Sequence, residues 1–210
     1  MSLRLIETEE DLAEGAAHLA AVCPVWARVL PELGPLPLRR RADGFAALVN
    51  AIVAQQISTA SAAATSGRIV AAGLMDEAAV RAADDAQLLA CGLSRPKLRY
   101  IRALAEAQMD WAGLRDLPDE EVTVRLTALP GIGRWTADIY LAFALGRADA
   151  FAPGDLALQE SARLMYDLPA RPGPAAIEAM AEAWRPWRSV AARGLWHYYL
   201  GAKGREGVRA

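Results

Sequence analysis

Cysteine and histidine are the metal-binding residue types that this chain nearly lacks. Its 210 residues include two cysteines, Cys23 and Cys91, which are too few for a four-cysteine iron–sulfur cluster and form no Cys-x-x-Cys pair for zinc. The two histidines, His18 and His197, stand far apart in the chain. We therefore expect no iron–sulfur cluster and no thiolate or imidazole metal site.

Lysine is equally scarce, because Lys97 and Lys203 are the only lysines among 23 lysine and arginine residues. An enzyme that works through a Schiff base needs a lysine or the N-terminal amine. This shortage limits the covalent chemistry available to the chain.

Long apolar runs and an excess of positive charge are also absent. No run approaches the roughly 18 residues of a membrane-spanning helix, and the acidic start, with Glu7, Glu9, Glu10 and Asp11, is unlike a signal peptide. We expect a soluble, cytoplasmic protein. Because the formal net charge is −2, any binding to nucleic acid would depend on locally placed charges and backbone amides.

Hydrophobic residues make up 54% of the chain, and they recur at helical spacing. Phe45, Leu48, Val49, Ile52 and Val53 form one such stripe. No alternating run of β-branched residues is present, so we predict an all-α fold.

Prolines and acidic residues indicate several helix ends. We predict that the first helix begins at Thr8, which is followed by Glu9, Glu10 and Asp11, and stops near Val22, before Pro24. Residues 31–37 are predicted to belong to a loop. Asp43 is expected to cap the next helix. The run Arg39-Arg40-Arg41 is either a DNA contact or a solvated surface segment.

Residues 129–137, Leu-Pro-Gly-Ile-Gly-Arg-Trp-Thr-Ala, form the most specific motif of the chain. Pro130 ends one helix, Gly131 and Gly133 permit a tight turn, and a second helix is predicted over residues 134–145. The first amides of that second helix would be available to an anion. The alternative is a purely structural turn between two core helices.

Two further polar features have both structural and functional interpretations. Gln55 and Gln56 lie in a short predicted turn before Ser58, which caps the next helix. They form either a polar turn or a source of a side chain that enters the DNA base stack. Arg95 and Lys97 lie in the first turn of a helix, where cations are disfavoured, so they either meet an external phosphate or are surface charges.

Asp155 follows Pro153 and Gly154 and begins a predicted amphipathic helix. Aspartate is a favourable N-cap, and capping alone would explain it. Its place after the hairpin, behind a loop of glycine and proline, keeps a catalytic role open as the alternative.

Together these motifs resemble those of the helix-hairpin-helix (HhH-GPD) DNA glycosylase superfamily, and within it the DNA-3-methyladenine glycosylase II group. The matching stretches are residues 51–58, 92–97, 100–101, 129–137, 154–155 and 184–189. The resemblance implies the helix-hairpin-helix DNA glycosylase fold, with two helical subdomains and the active-site cleft between them. One subdomain is expected over residues 45–146 and the other over residues 1–44 and 147–210.

The resemblance also implies roles for individual residues. Asp155 would be the catalytic carboxylate, and Gln56 would fill the gap left by a flipped nucleotide. The residues expected to contact DNA are Gln55, Gln56, Ser58, Arg95, Lys97, Gly131, Gly133, Arg134 and Thr136. Trp135, Tyr140 and Trp196 are expected at the base pocket, although Trp135 and Trp196 as plain core residues remain alternatives. The carbonyls of Thr127, Leu129 and Ile132 would hold a Na⁺ or K⁺ ion, and no cofactor is required.

The implied enzyme hydrolyses the N-glycosidic bond of alkylated purines, 3-methyladenine and related bases, in base excision repair. It would act as a monomer on double-stranded DNA at the nucleoid, with an ionised Asp155 stabilising positive charge on the sugar. Superfamily members that also cut the strand carry a lysine where this chain has Trp135, so we predict a monofunctional enzyme. The alternatives are a non-catalytic lesion-binding module and a bifunctional glycosylase/lyase.

Overall fold

The computed structural model describes residues 3–203 of the chain. Over this range there are twelve α-helices: α1 (Glu9–Val22), α2 (Pro24–Leu33), α3 (Phe45–Ala54), α4 (Thr59–Ala71), α5 (Glu77–Ala82), α6 (Asp85–Ala90), α7 (Arg95–Glu106), α8 (Asp119–Thr127), α9 (Arg134–Ile139), α10 (Leu156–Met165), α11 (Pro174–Ala181) and α12 (Arg188–Lys203). Among the same residues, β-type pairing is limited to an isolated bridge between Leu5 and Arg147. The prediction of an all-α fold is therefore confirmed. No helix in the described part of the chain is long and apolar enough to cross a membrane.

Local capping explains where several helices begin. Thr8 and Asp11 form a reciprocal capping box at the start of α1. The Ser58 hydroxyl accepts a hydrogen bond from the Ser61 amide, 3.2 Å away, at the start of α4. Both starts lie where the sequence predicts them, because each depends on groups only three residues apart.

The chain after α1 differs from the prediction, since a second helix that was not predicted begins at Pro24 and extends to Leu33, into the predicted loop. Proline is well suited to the first helical position, because no helical hydrogen bond is lost there. The new helix, α2, buries Trp26 and Val29 and continues through Pro31. This burial outweighs the helix-breaking tendency of Pro31, which short-range signals alone cannot reveal.

The predicted cap of α3 is also wrong. The N-cap position of α3 is occupied by Gly44, which makes no side-chain capping bond. The carboxylate of Asp43 instead pairs with the Arg115 guanidinium at 2.7 Å. A partner 72 positions along the chain has thus replaced the local one.

The described chain divides into two compact units. Arg41–Tyr140 forms one unit, and residues 3–40 with 141–203 form the other. In the first, α7 packs against α3, α5 and α6, and α8 packs against α9. In the second, α12 packs against α1, α2 and α10, around a core in which the Trp26 and Trp184 rings meet edge to face with centroids 5.7 Å apart.

Candidate functional site

The hairpin joins α8 to α9 within the unit Arg41–Tyr140. Gly131 has a φ of +85°, and a Cβ placed there would lie 2.5 Å from ring atoms of Tyr100. Gly133 has a φ of −91°, and a Cβ placed there would meet nothing within 4 Å. Of the two glycines expected to shape the turn, Gly131 does so and Gly133 does not.

The start of α9 is the part of the hairpin that the motif predicts to meet an anion. The first helical hydrogen bond runs from the Ala137 amide to the Gly133 carbonyl at 3.1 Å, so the amides of residues 134–136 precede it. The Thr136 side chain is buried, which leaves its amide as the group able to meet DNA. The amides of residues 134–136 therefore form the first turn of α9, and their contact with an anion stays a prediction.

The neighbouring side chains of α9 have different environments. Arg134 is mostly exposed and forms an ion pair at 2.8 Å with the buried carboxylate of Asp138. Trp135 is 49% exposed, so it is not a plain core residue. The side chains at the start of this helix thus combine a positive charge and an accessible indole.

The helix predicted over residues 134–145 forms, but its second half is a π-helix. α9 ends at Ile139, and a π-helical segment follows over Tyr140–Ala144. Tyr140 is buried, and its hydroxyl accepts a hydrogen bond from the Gly44 amide at 2.8 Å. Burial raises the pKa of Tyr140 to about 12. The phenol expected at the base pocket therefore also holds the start of α3.

The three carbonyls predicted to bind a monovalent cation lie at the end of α8 and in the turn. The Leu129 carbonyl accepts a hydrogen bond from the Ile132 amide at 3.1 Å, which leaves it a second lone pair. Carbonyl oxygens are suitable ligands for a hard cation. Within residues 3–203, no group of three or more histidine, cysteine, aspartate or glutamate side chains is placed to hold a metal.

The two glutamines of the Gln55–Gln56 turn have different environments. The Gln55 Nε2 donates to the Gly131 carbonyl at 2.8 Å, which ties the end of α3 to the hairpin. Gln56 is exposed and has a φ of +58°, a left-handed conformation that costs a non-glycine residue roughly 1 kcal/mol. Backbone strain of this kind is common at functional sites, which makes Gln56 a candidate functional residue.

Lys97 supports the same turn from α7. Its Nζ donates to the Val53 carbonyl at 2.7 Å, near the end of α3, and burial lowers its pKa. Arg95, by contrast, is exposed at the start of α7, and Ser58 is engaged as the cap of α4. Among the predicted contacts around this turn, Lys97 thus has a structural role, and Arg95 is available to an external anion.

Asp155 lies in the other unit, at the N-cap of α10. Its Oδ1 accepts hydrogen bonds from the amides of Ala157 and Leu158, at 2.8 and 3.0 Å. The predicted helix start is therefore confirmed, and the side chain is half-buried. These bonds hold the carboxylate in one orientation.

The N-terminal segment, which sequence analysis did not implicate, supports the loop before Asp155. The Ile6 amide donates to the Gly146 carbonyl at 2.7 Å, and the Ala148 amide donates to the Arg4 carbonyl at 3.0 Å. On the N-terminal side this pairing involves only Arg4, Leu5 and Ile6. Three residues are too few to produce a periodic pattern that would predict it from the sequence.

Charged side chains hold the same loop at Asp149. Its two carboxylate oxygens accept hydrogen bonds from Nε and Nη2 of Arg188, both at 2.9 Å. Arg185 forms a further ion pair with this carboxylate. A bidentate arginine–carboxylate pair requires a specific geometry, so it restrains the path of the loop.

Trp196 lies on α12, with its ring centroid 5.4 Å from that of Phe143. The buried Arg193 places its Cζ 4.5 Å from the centroid of the Phe143 ring and donates to the Ala142 carbonyl at 3.1 Å. Trp196 is only partly buried, which favours the site interpretation over the core one. Since α12 packs against α10, Trp196 and Asp155 lie on neighbouring helices.

Comparison with known proteins gives consistent results. The family model described as the HhH-GPD superfamily of base excision DNA repair proteins matches residues 49–189. The chain is 29% identical over 213 residues to DNA-3-methyladenine glycosylase 1 of Schizosaccharomyces pombe, covering 93% of this chain and 92% of the relative.

Solved structures agree with the sequence comparison. A DNA-3-methyladenine glycosidase from Bacillus halodurans superposes with a TM-score of 0.83 at 28% identity, covering 98% of this chain and 95% of the other. A 3-methyladenine DNA glycosylase of S. pombe in complex with abasic DNA gives a TM-score of 0.75 at 27% identity, covering 90% and 97% of the two chains.

Proposed function

Because the chain belongs to the HhH-GPD superfamily of base excision DNA repair proteins, we propose that it is a monofunctional DNA glycosylase that removes alkylated purines. The resemblance predicted from the motifs is thereby confirmed. The main support for this activity is the Asp155 carboxylate, which two amides hold at the start of α10. The chain is also similar along nearly its whole length to a 3-methyladenine glycosylase.

The reaction breaks the bond between the base and C1′ of deoxyribose and forms a new bond from C1′ to a water oxygen. Positive charge develops on the sugar as the base leaves, and the Asp155 carboxylate stabilises that charge. The same carboxylate accepts a proton from the attacking water. A base such as 3-methyladenine already carries a positive charge, so it departs neutral and needs no acid from the protein.

We assign DNA binding to the hairpin and to the Gln55–Gln56 turn. The amides of residues 134–136 would hold a backbone phosphate, and a Na⁺ or K⁺ ion on the carbonyls of Thr127, Leu129 and Ile132 would strengthen that contact. Gln56 would occupy the gap left by the flipped nucleotide. The exposed side chain and left-handed backbone of Gln56 support this role.

Recognition of the base is assigned to aromatic side chains. Trp196, which contacts Phe143, would attract a cationic base by stacking and by cation–π interaction. We propose that the enzyme acts as a monomer on double-stranded DNA at the nucleoid and requires no cofactor. Lys97 is committed to the Val53 carbonyl, which argues against its use as a Schiff-base lysine.

Replacement of Asp155 by Asn tests the proposal. The amide oxygen of Asn can accept the same two capping bonds, so the cap is kept and the negative charge is lost. We expect release of 3-methyladenine from methylated duplex DNA to fall by at least about 100-fold, with affinity for abasic DNA within twofold of wild type. Wild-type product strands should stay intact until heated in alkali, as a monofunctional enzyme requires.

Asp76→Asn is the matched control, since Asp76 also caps a helix, with its Oδ1 3.0 Å from the Ala79 amide. This variant should release base at the wild-type rate. Base release by Asp155→Asn at the wild-type rate would contradict the assignment of the carboxylate. Wild-type protein that binds methylated DNA but releases no base would instead indicate the lesion-binding module.

A further inference from the structure

The side chain of Gln159, on α10, contacts the loop that precedes Asp155. Gln159 lies one helical turn after Asp155 and is only 4% exposed. Its Nε2 donates to the Pro153 carbonyl at 2.8 Å. A buried glutamine therefore reaches back from the helix to the loop that delivers the carboxylate.

Packing contributes little to holding the backbone at this point. Gly154 is exposed, and a Cβ placed there would meet nothing within 4 Å, so packing does not restrain that residue. The Asp155 amide donates to the Ala152 carbonyl at 3.0 Å, which restrains the loop from one side. The Gln159 bond to Pro153 restrains it from the other, so that residues 153–155 have one defined path.

We propose that Gln159 is a positioning residue, which fixes the Asp155 carboxylate for catalysis through the Pro153 carbonyl. This inference rests on the function proposed above. Loss of the bond would leave the partly buried Pro153 carbonyl without this donor, and the loop would move to satisfy it with water. Because a displacement of about 1 Å can lower an enzymatic rate by roughly 100-fold, we expect a catalytic defect without a binding defect.

Ser161 provides a matched comparison on the same helix. It is fully buried, and its hydroxyl donates to the Leu195 carbonyl of α12 at 2.7 Å. Like Gln159, it is a buried side chain bonded to a backbone carbonyl, but its bond does not involve the loop before Asp155. Removal of either bond should lower stability, and only removal of the Gln159 bond should lower the rate.

The experiment compares Gln159→Met with Ser161→Ala in single-turnover release of 3-methyladenine, with enzyme in excess of methylated duplex DNA. Met conserves the volume of glutamine and cannot donate. We expect the rate of Gln159→Met to fall 10- to 100-fold, with affinity for abasic DNA and for methylated DNA within twofold of wild type. Ser161→Ala should react at the wild-type rate at temperatures where all variants are folded.

Gln159→Asn is the second variant, since it keeps the amide but shortens the reach by one methylene, and it should show the same loss of rate. A wild-type rate in either folded Gln159 variant, or an equal loss of rate in Ser161→Ala, would overturn the inference while leaving the proposed function intact. Wild-type protein that releases no base would overturn both.

Discussion

The two glycines of the hairpin differ in what surrounds them, so replacing each by Ala separates folding from DNA binding. An alanine at position 131 would adopt a φ of +85° with its Cβ 2.5 Å from the Tyr100 ring. The left-handed backbone costs roughly 1–2 kcal/mol, and forcing a methyl into occupied space costs about 1–3 kcal/mol. We therefore expect Gly131→Ala to lose about 2–5 kcal/mol of folding free energy.

Gly133→Ala is expected to fold almost as well as wild type. Its φ of −91° and ψ of 172° are open to any residue, and a Cβ there meets nothing within 4 Å. Alanine is a poorer N-cap than glycine by roughly 0.5–1 kcal/mol, and the reduced freedom of the unfolded chain offsets this by about 0.4–1 kcal/mol. The net change should lie within about 1 kcal/mol of zero.

The same methyl group at position 133 would stand beside the amides proposed to hold a DNA phosphate. We expect it to weaken binding to an abasic duplex by about tenfold, which corresponds to 1.4 kcal/mol. Urea unfolding gives the stabilities, and fluorescence anisotropy with labelled duplex gives the affinities. Unchanged stability of Gly131→Ala would refute the described turn, and unchanged affinity of Gly133→Ala would refute close approach of DNA to it.

Two other predictions concern Gln56 and Tyr140. Gln56→Ala should bind abasic duplex DNA at least fivefold more weakly at unchanged thermal stability, and equal affinity in an anisotropy titration would rule out its role as the wedge. Tyr140 has its pKa raised to about 12 in the folded protein, so the unfolded chain loses its proton first. It therefore stabilises the fold fully below about pH 10, by roughly 2–3 kcal/mol, and this contribution disappears as the pH rises through about 12. Urea unfolding from pH 8 to 12 should show a shallower alkaline loss of stability for Tyr140→Phe than for wild type. Some loss should persist in the variant, because burial also raises the pKa of Tyr166. Equal losses in both proteins would contradict the burial of Tyr140.

The limits of sequence-based prediction are visible at single residues. The helix starts at Thr8, Ser58 and Asp155 are predicted correctly, because each cap joins groups two or three positions apart. The missed helix at Pro24 and the wrong cap at Asp43 have the opposite origin. Burial of apolar side chains and a distant arginine decided them, and neither leaves a local signal.

The amino-acid sequence by itself determined the all-helical fold, the glycine hairpin, the superfamily and Asp155 as the residue that caps α10. What only the tertiary structure decided is the partner of each long polar side chain. Gln55 bonds the Gly131 carbonyl, Lys97 bonds the Val53 carbonyl, and Arg193 reaches the Leu38 carbonyl, 155 positions away. Helical periodicity and caps arise from contacts within one or two helical turns, so they can be predicted from residues that are close together in the sequence. A flexible donor meets whichever acceptor the packed helices bring near it, and that choice does not exist until the chain has folded.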